Sequence, residues 1–216
     1  DLYQSTSDPQ ISKDLEQYRR QTASFARKYK GKLAALSANE FLAAVQNIEK
    51  RSLIAARLGG FAYLNMVTQM KNSEAVMFYQ SVEEKLTDYS KPAVFFSLEY
   101  NALPQAKINE WLKDKRVQTY KYWLKRLRKF KDYQLSEPEE ELLLEKSLTS
   151  GDAWVRLYEE HSSRLEFTVD GKTYNDAELS KLLLDKDGAL RLRAGAEMNR
   201  VFKQNSHLMT FIYNMV

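Results

Sequence analysis

Cysteine is missing altogether from this 216-residue chain. Neither a disulfide nor a thiolate-bound metal can therefore hold the fold together, and a reducing compartment is its natural setting. Glycine and proline are scarce, at 7 and 4. So few chain breaks exclude a many-turned sandwich or barrel and favour long helices. Histidine occurs only as His161 and His207, too far apart to give the one-turn pair with which two imidazoles on a helix share a zinc ion. No apolar run is long enough to span a bilayer, and the opening stretch DLYQSTSDPQ lacks the basic segment and apolar core of a signal peptide. A cytoplasmic location with no membrane attachment is expected. No Gly-x-Ser-x-Gly elbow occurs, and Gly59-Gly60 precedes no strand–turn–helix phosphate pattern, so hydrolase-triad and nucleotide readings lapse.

What is present is an ordinary globular balance, 44% hydrophobic and 29% charged, with no stretch polar enough for lasting disorder. The net charge of +4 bears on solubility more than on a polyanionic partner. The length suits one large domain or two small ones, with one compact unit preferred. The chain begins without Met and ends on the apolar HLMTFIYNMV, which gives the expectation of a cut end.

Periodicity predicts a mainly α fold, a multi-helix, antiparallel, bundle-like array with one small β-hairpin near residues 165–174. Asp8-Pro9 opens an amphipathic helix whose apolar stripe is Ile11, Leu15, Tyr18, Thr22, Phe25 and Tyr29, running to Gly31. Ser37 and Glu40 form a capping box for a second helix that ends at Gly59-Gly60, with a third beginning near Phe61. A helical stretch from Ser73 to Leu103 should break at Pro92. After Pro104 a basic helix carries Val117, Tyr120, Trp123, Leu124, Leu127 and Phe130 on one face. Ser136 and Glu139 cap the next helix, Gly151-Asp152 starts another, and LEFTVDGKTY alternates around Asp170-Gly171, a hairpin turn. Asn175 and Asp187 cap two closing helices. The expected organisation is 1–110 as N-terminal helical hairpins and 111–216 as a helical region with the hairpin, the two packed as one unit.

Few side chains are candidates for chemistry. His161 beside Glu160 could act as a lone acid or base, but a partly exposed histidine in a charged turn is the plainer reading, and His207 reads as a packing residue. DKDG at 185–188 fails as a calcium loop, because Leu183 and Ala194 would occupy positions that need oxygen ligands. Glu137, Glu139, Glu140 and Glu141 sit at a helix start facing water, where no pocket shifts a carboxyl pKa for catalysis. No catalytic or metal-binding residue is assigned. Lys125, Arg126, Arg128 and Lys129, with Tyr120, Tyr122, Trp123 and Phe130 interleaved, form a basic patch that could bind nucleic acid or an acidic partner by charge and stacking. The apolar members repeat at core spacing, however, so a solvated or internally paired face is the plainer reading and nucleic acid is not the expected partner. The apolar Phe202, Leu208, Met209, Phe211, Ile212 and Met215 of the last helix are candidates for an interface.

The segment YWLKRLRKFKDYQLSEPEEELLLEKSLTSGDAWVRLYEEHSSRLEF, with DLYQSTSDPQISKDLE and YKGKLA upstream and HLMTFIYN downstream, resembles the N-terminal region of the oligoendopeptidase F family of zinc metallopeptidases. The order of features carries the likeness: a basic helix, a Tyr-x-Leu-Ser-x-x-x-Glu cap, a GDAW helix start, and an LEF strand with its hairpin. The resemblance implies a cytoplasmic hydrolase whose His-Glu-x-x-His zinc helix lies in a C-terminal half, after residue 216. The two helical halves would enclose a channel for short peptides. It implies that this chain is the non-catalytic front half, one wall of that channel. The catalytic half of the same protein would be its partner, with no cofactor held here and zinc held there. Two alternatives stand beside it: a helical binding module using the basic patch, and an adaptor that kept the scaffold without a catalytic half.

Overall fold

Asp8 opens the first helix as its position predicts, accepting a hydrogen bond from the Gln10 N–H at 2.8 Å. Pro9 follows where a missing N–H costs nothing. In this computed structural model, which describes residues 2–215, helix α1 spans Pro9–Tyr29 and buries every member of the expected stripe from Ile11 to Tyr29. The chain then turns at Gly31, whose φ of +75° is in the left-handed region that favours glycine. A single 3-10 turn, Leu33–Ala35, leads to α2, Ala38–Val67. The capping box is formed: the Ser37 hydroxyl accepts from the Glu40 N–H at 3.3 Å, and the Glu40 carboxylate accepts from the Ser37 N–H at 2.9 Å.

Contacts between α1 and α2 run in opposite chain directions, which makes the pair antiparallel. Tyr3, just ahead of α1, meets Phe61 edge-on at 5.3 Å. Asp14 pairs with Arg57 at 2.6 Å, and Thr22 accepts from Arg51 at 3.2 Å. Asp14 is fully buried and also accepts from the Tyr3 hydroxyl and Gln10 Nε2, both at 2.7 Å. A carboxylate can be buried at this depth because each oxygen has donors.

Gly59 and Gly60 do not end α2, and no helix starts at Phe61. Glycine in a helix interior costs roughly 1 kcal/mol relative to alanine. Here burial of Leu58, Ala62 and Met66 outweighs that. A Cβ at Gly59 would come within 3.2 Å of Glu83 Oε1 and 3.6 Å of Leu86, so this position admits the close approach of α3, Ser73–Ser90. The break at Pro92 is as expected: α3 stops, a 3-10 turn spans Lys91–Ala93, and α4 covers Phe95–Ala102.

The basic segment is three short helices and not one: α5 Gln105–Trp111, α6 Lys115–Gln118 and α7 Lys121–Arg128. Asp114 causes one of the interruptions by capping α6, accepting from the Arg116 N–H at 2.9 Å. The Arg116 guanidinium and this N–H hold its carboxyl at about 2. Val117 and Leu124 are buried, and Tyr120, Trp123 and Leu127 pack beside them. Phe130 leaves the expected stripe, 59% exposed, because α7 has ended. Helix α8, Glu137–Ser147, starts where Ser136 donates through both its N–H and its hydroxyl to the Glu139 carboxylate, at 2.9 and 2.6 Å.

Trp111 stacks on Phe41 at 3.8 Å and donates its indole N–H to the Leu36 carbonyl at 3.0 Å. Val117 and Leu124 join the same core, so a boundary at 110/111 would cut through packed side chains. The chain divides by its contacts into two compact units, residues up to 68 with 74–146, and residues 69–73 with those from 147 onward.

The second unit contains α9, Gly151–Ser163, and a hairpin of β1, Phe167–Val169, and β2, Lys172–Tyr174. Phe167 faces Tyr174 and Val169 faces Lys172 in antiparallel register. Asp170 and Gly171 have φ of 53° and 78°, the paired left-handed residues of a twist-matched two-residue turn. Asn175 and Glu178 form a capping box on α10, Asp176–Leu182. Asp187 accepts from the Ala189 N–H at 2.8 Å, starting α11, Gly188–Met215. Leu165, Phe167 and Val169 are buried with Leu179, Ala194 and Val201. The chain is thus mainly α with one small hairpin, as its periodicity predicts.

Candidate functional site

The apolar end of α11 is divided between core and surface. Ile212 is buried, Phe202 is half-buried edge-on against Phe167 at 6.0 Å, and Met209 packs at the margin of the same cluster. Leu208 is half-buried. Phe211 meets Trp154 of α9 edge-on at 5.7 Å yet is 49% exposed, and Met215 is equally open. Between α9 and α11 lies an open recess of about 520 Å³, lined by Val155, Tyr158, Met209, Thr210, Ile212 and Tyr213. The residues first marked as one patch therefore fall into two groups. Ile212 and Phe202 stabilise the second unit, whereas Met209, Phe211 and Met215 border accessible apolar surface.

Sequence reasoning missed Val155, Tyr158 and Tyr213. A signal was available: Trp154, Val155, Leu157 and Tyr158 fall on one broad apolar stripe of α9, and no residue of α9 is buried. An apolar stripe of that width on a helix is the face that calls for a neighbour.

The hairpin is held against α11 by a charged anchor. Glu197 accepts from the Thr168 N–H at 2.8 Å and from Arg200 at 2.6 Å. Arg200 and the Thr168 N–H hold its carboxyl at about 2. A residue so perturbed can be functional, but here both partners lie on structural elements and its role is to fix the strand.

The basic patch is not uniform. Arg128 Nη1 donates to the carbonyls of Tyr100, Asn101 and Leu103 at 3.3, 3.3 and 3.0 Å, closing the C-terminus of α4, where a cation is favoured. Lys125, Arg126 and Lys129 are exposed, and among the described residues none of the three forms an ion pair. Glu137, a nearby acid, pairs with Lys30 at 2.6 Å instead. Tyr122 beside them is 86% exposed, while Trp123 packs on the core.

His161 is half-buried on α9 and His207 is exposed on α11. Among the described residues, no group of three or more His, Cys, Asp or Glu side chains could hold a metal ion. The donor set does not fit zinc, and no step of a metal-assisted hydrolysis can be derived from these residues. Among the described residues, no helix is long and apolar enough to cross a membrane.

Comparison with known proteins accords with the sequence likeness. Residues 99–167 match the N-terminal family described as oligopeptidase F. The crystal structure of oligoendopeptidase-F from Enterococcus faecium is similar over 92% of this chain, with a TM-score of 0.73 and 18% identity. That similarity covers 40% of the bacterial chain, so the present chain spans well under half of its length. No curated protein sequence matches. The family match shows a resemblance to the N-terminal region of the oligopeptidase F family. The structural likeness, at this identity, shows the fold.

Proposed function

We propose that this chain is the non-catalytic N-terminal part of an oligopeptide-cleaving zinc metalloendopeptidase, working in the cytoplasm. It would form one wall of a channel whose reactive groups and zinc belong to a C-terminal catalytic half of the same protein. The family match over residues 99–167 carries this reading, and the short coverage of the bacterial enzyme supports it. The accessible apolar rim of Met209, Phe211 and Met215, with Val155 and Tyr158 beside it, would meet the catalytic half. A channel wall acts by bulk: it admits flexible peptides and excludes folded proteins without touching the bond that breaks.

The test has two parts. The encoded continuation beyond residue 216 should contain a His-Glu-x-x-His helix, and the extended protein should cleave a quenched fluorescent peptide in a chelator-sensitive way. The present chain alone should give no cleavage with zinc added. A continuation without that helix, or chelator-sensitive turnover by this chain alone, overturns the proposal.

A second reading is supported by Lys125, Arg126 and Lys129, which form no ion pair among the described residues, beside exposed Tyr122. These could bind single-stranded nucleic acid. Salt-dependent retention, lost when the three are replaced by glutamate, would favour it. Arg128 is left out of the test because it closes α4.

A further inference from the structure

We infer that the cleft between α2, α4 and α7 in the first unit binds a carboxylate with an apolar body, and that the Arg51 guanidinium is its anion-holding group. The inference stands independently of the peptidase reading.

Arg51 is 4% exposed. Its Nε donates to Asn47 Oδ1 at 3.1 Å and its Nη1 to Thr22 Oγ1 at 3.2 Å, while the guanidinium carbon lies 4.3 Å over the Phe25 ring. All three partners are neutral. Among the described residues no carboxylate forms an ion pair with it, and Nη2 has no acceptor. Burial lowers its pKa from the ordinary value. The contrast within the same unit is direct: Asp14 is just as deeply buried but carries a guanidinium counter-charge from Arg57 at 2.6 Å. A buried cation without a counter-charge is costly, and an anion arriving from solvent would relieve that cost.

The space for such an anion is present. Arg51 lines a recess of about 180 Å³ with Tyr18, Ile48, Phe96 and Trp123 as walls and Ser52 among the lining residues. An adjoining recess of about 300 Å³ shares Ile48, Ser52 and Trp123 and is bounded by Glu49 and Tyr120. Apolar and aromatic walls around a few polar groups are the usual anatomy of a small-molecule site. The polarity is ordered along the cleft. Glu49 accepts from the Tyr120 hydroxyl at 2.8 Å, so negative charge occupies that end and a ligand carboxylate is directed to Arg51. The apolar body then lies along Trp123 and Ile48. A carboxylate at the fork of a guanidinium forms charge-assisted hydrogen bonds stronger than those to a neutral carbonyl. The shared chemistry is that of a free aromatic or aliphatic acid, or of the C-terminal carboxylate of a peptide ending in an apolar residue.

Calorimetric titration of the whole chain with 4-phenylbutyrate, its primary amide, and an N-acetylated tripeptide ending in Phe with a free or amidated terminus tests the inference. The acid is expected to bind, with an amide at least tenfold weaker and affinity falling as salt rises. Binding by the free-terminus peptide as well assigns the site to peptide termini, and binding by phenylbutyrate alone assigns it to free acids. Arg51→Met should abolish binding. Because loss of that buried network could also unfold the chain, Ser52→Phe is the second variant. It fills the cleft while leaving Arg51 and its hydrogen bonds to Asn47 and Thr22 in the chain, and should abolish binding at an unchanged melting temperature. Equal affinity for acid and amide, binding that survives Ser52→Phe, or no binding by either acid at millimolar concentration overturns the proposal.

Discussion

The two units solve the same packing problem to different degrees. In the first, Phe25, Phe41, Phe95, Tyr100 and Trp111 are all buried, and a buried acid and a buried base sit between α1 and α2. In the second, the core is small, built around the hairpin, Leu179, Ala194 and Val201. Helix α9 buries nothing completely, and Phe211, Met215 and Tyr158 are about half exposed. The first unit has the larger core but is not fully covered either: Leu53, Phe130, Leu142 and Leu143 are each more than half exposed. The second has the smaller core for the apolar surface that α9 and the end of α11 present, which suits that face to meeting another protein surface.

The sharpest way to break this contrast is to remove the keystone of the first unit. Trp111→Ala deletes a fully buried ring, its stack on Phe41 and its hydrogen bond to Leu36. The expected loss is about 3–5 kcal/mol in chemical denaturation followed by the remaining tryptophans. Amide protection in the hairpin, which belongs to the other unit, should change much less.

Asp14→Ala comes next. It strands the Tyr3 hydroxyl, Gln10 and Arg57 together, and a hydrogen bond to a charged group contributes roughly 1.5–3 kcal/mol. Arg57 can turn to solvent, so a total of about 2–3 kcal/mol is expected by urea denaturation. Asp14→Asn should recover only part of it.

Gly171→Val tests the second unit. A β-branched residue at φ of 78° costs about 1–2 kcal/mol, and the loss should appear as faster hydrogen exchange at Phe167 and Val169 with α1 and α2 unaffected. An equal loss in both units would show that they do not unfold separately.

The smallest effect is a pH dependence. Glu197 is held from an ordinary 4.5 down to about 2 by Arg200 and the Thr168 N–H. A carboxyl lowered on folding contributes stability that is whole above about pH 4.5 and is lost as pH falls toward 2. Hairpin protection should therefore decline over that window, and Glu197→Gln should flatten the decline. A decline unchanged in the variant would remove Glu197 as its source. The effect is modest because the pair is near the surface and screened.

Where the sequence was legible, the signal was local. The α1 stripe, the Ser37 and Asn175 boxes, the Pro92 break and the Asp170-Gly171 turn each depend on residues within one or two turns of each other. Two expectations failed because a distant partner decided the outcome. Gly59-Gly60 reads as a stop, but α3 packs against it. The basic segment reads as one helix, but the core takes up Trp111, Val117 and Leu124 from three. For the basic patch the sequence left a phosphate-binding and an internally paired face side by side, and the carbonyls closing α4 claim Arg128. The interface residues on α11 were legible as apolar, yet which of them remain accessible was not, since Ile212 and Phe211 are adjacent in sequence and differ only in what covers them.

By itself the sequence determined the helical character, the caps, the hairpin and the poverty of metal-binding donors, because dihedral preference, capping hydrogen bonds and residue chemistry are properties of neighbours in the chain. Only the tertiary structure decided that the chain divides after residue 146, that Arg51 is buried with no counter-charge among the described residues, and which apolar face stays open. Burial is set by which distant side chains arrive, and periodicity shows that a face is apolar without showing what will cover it.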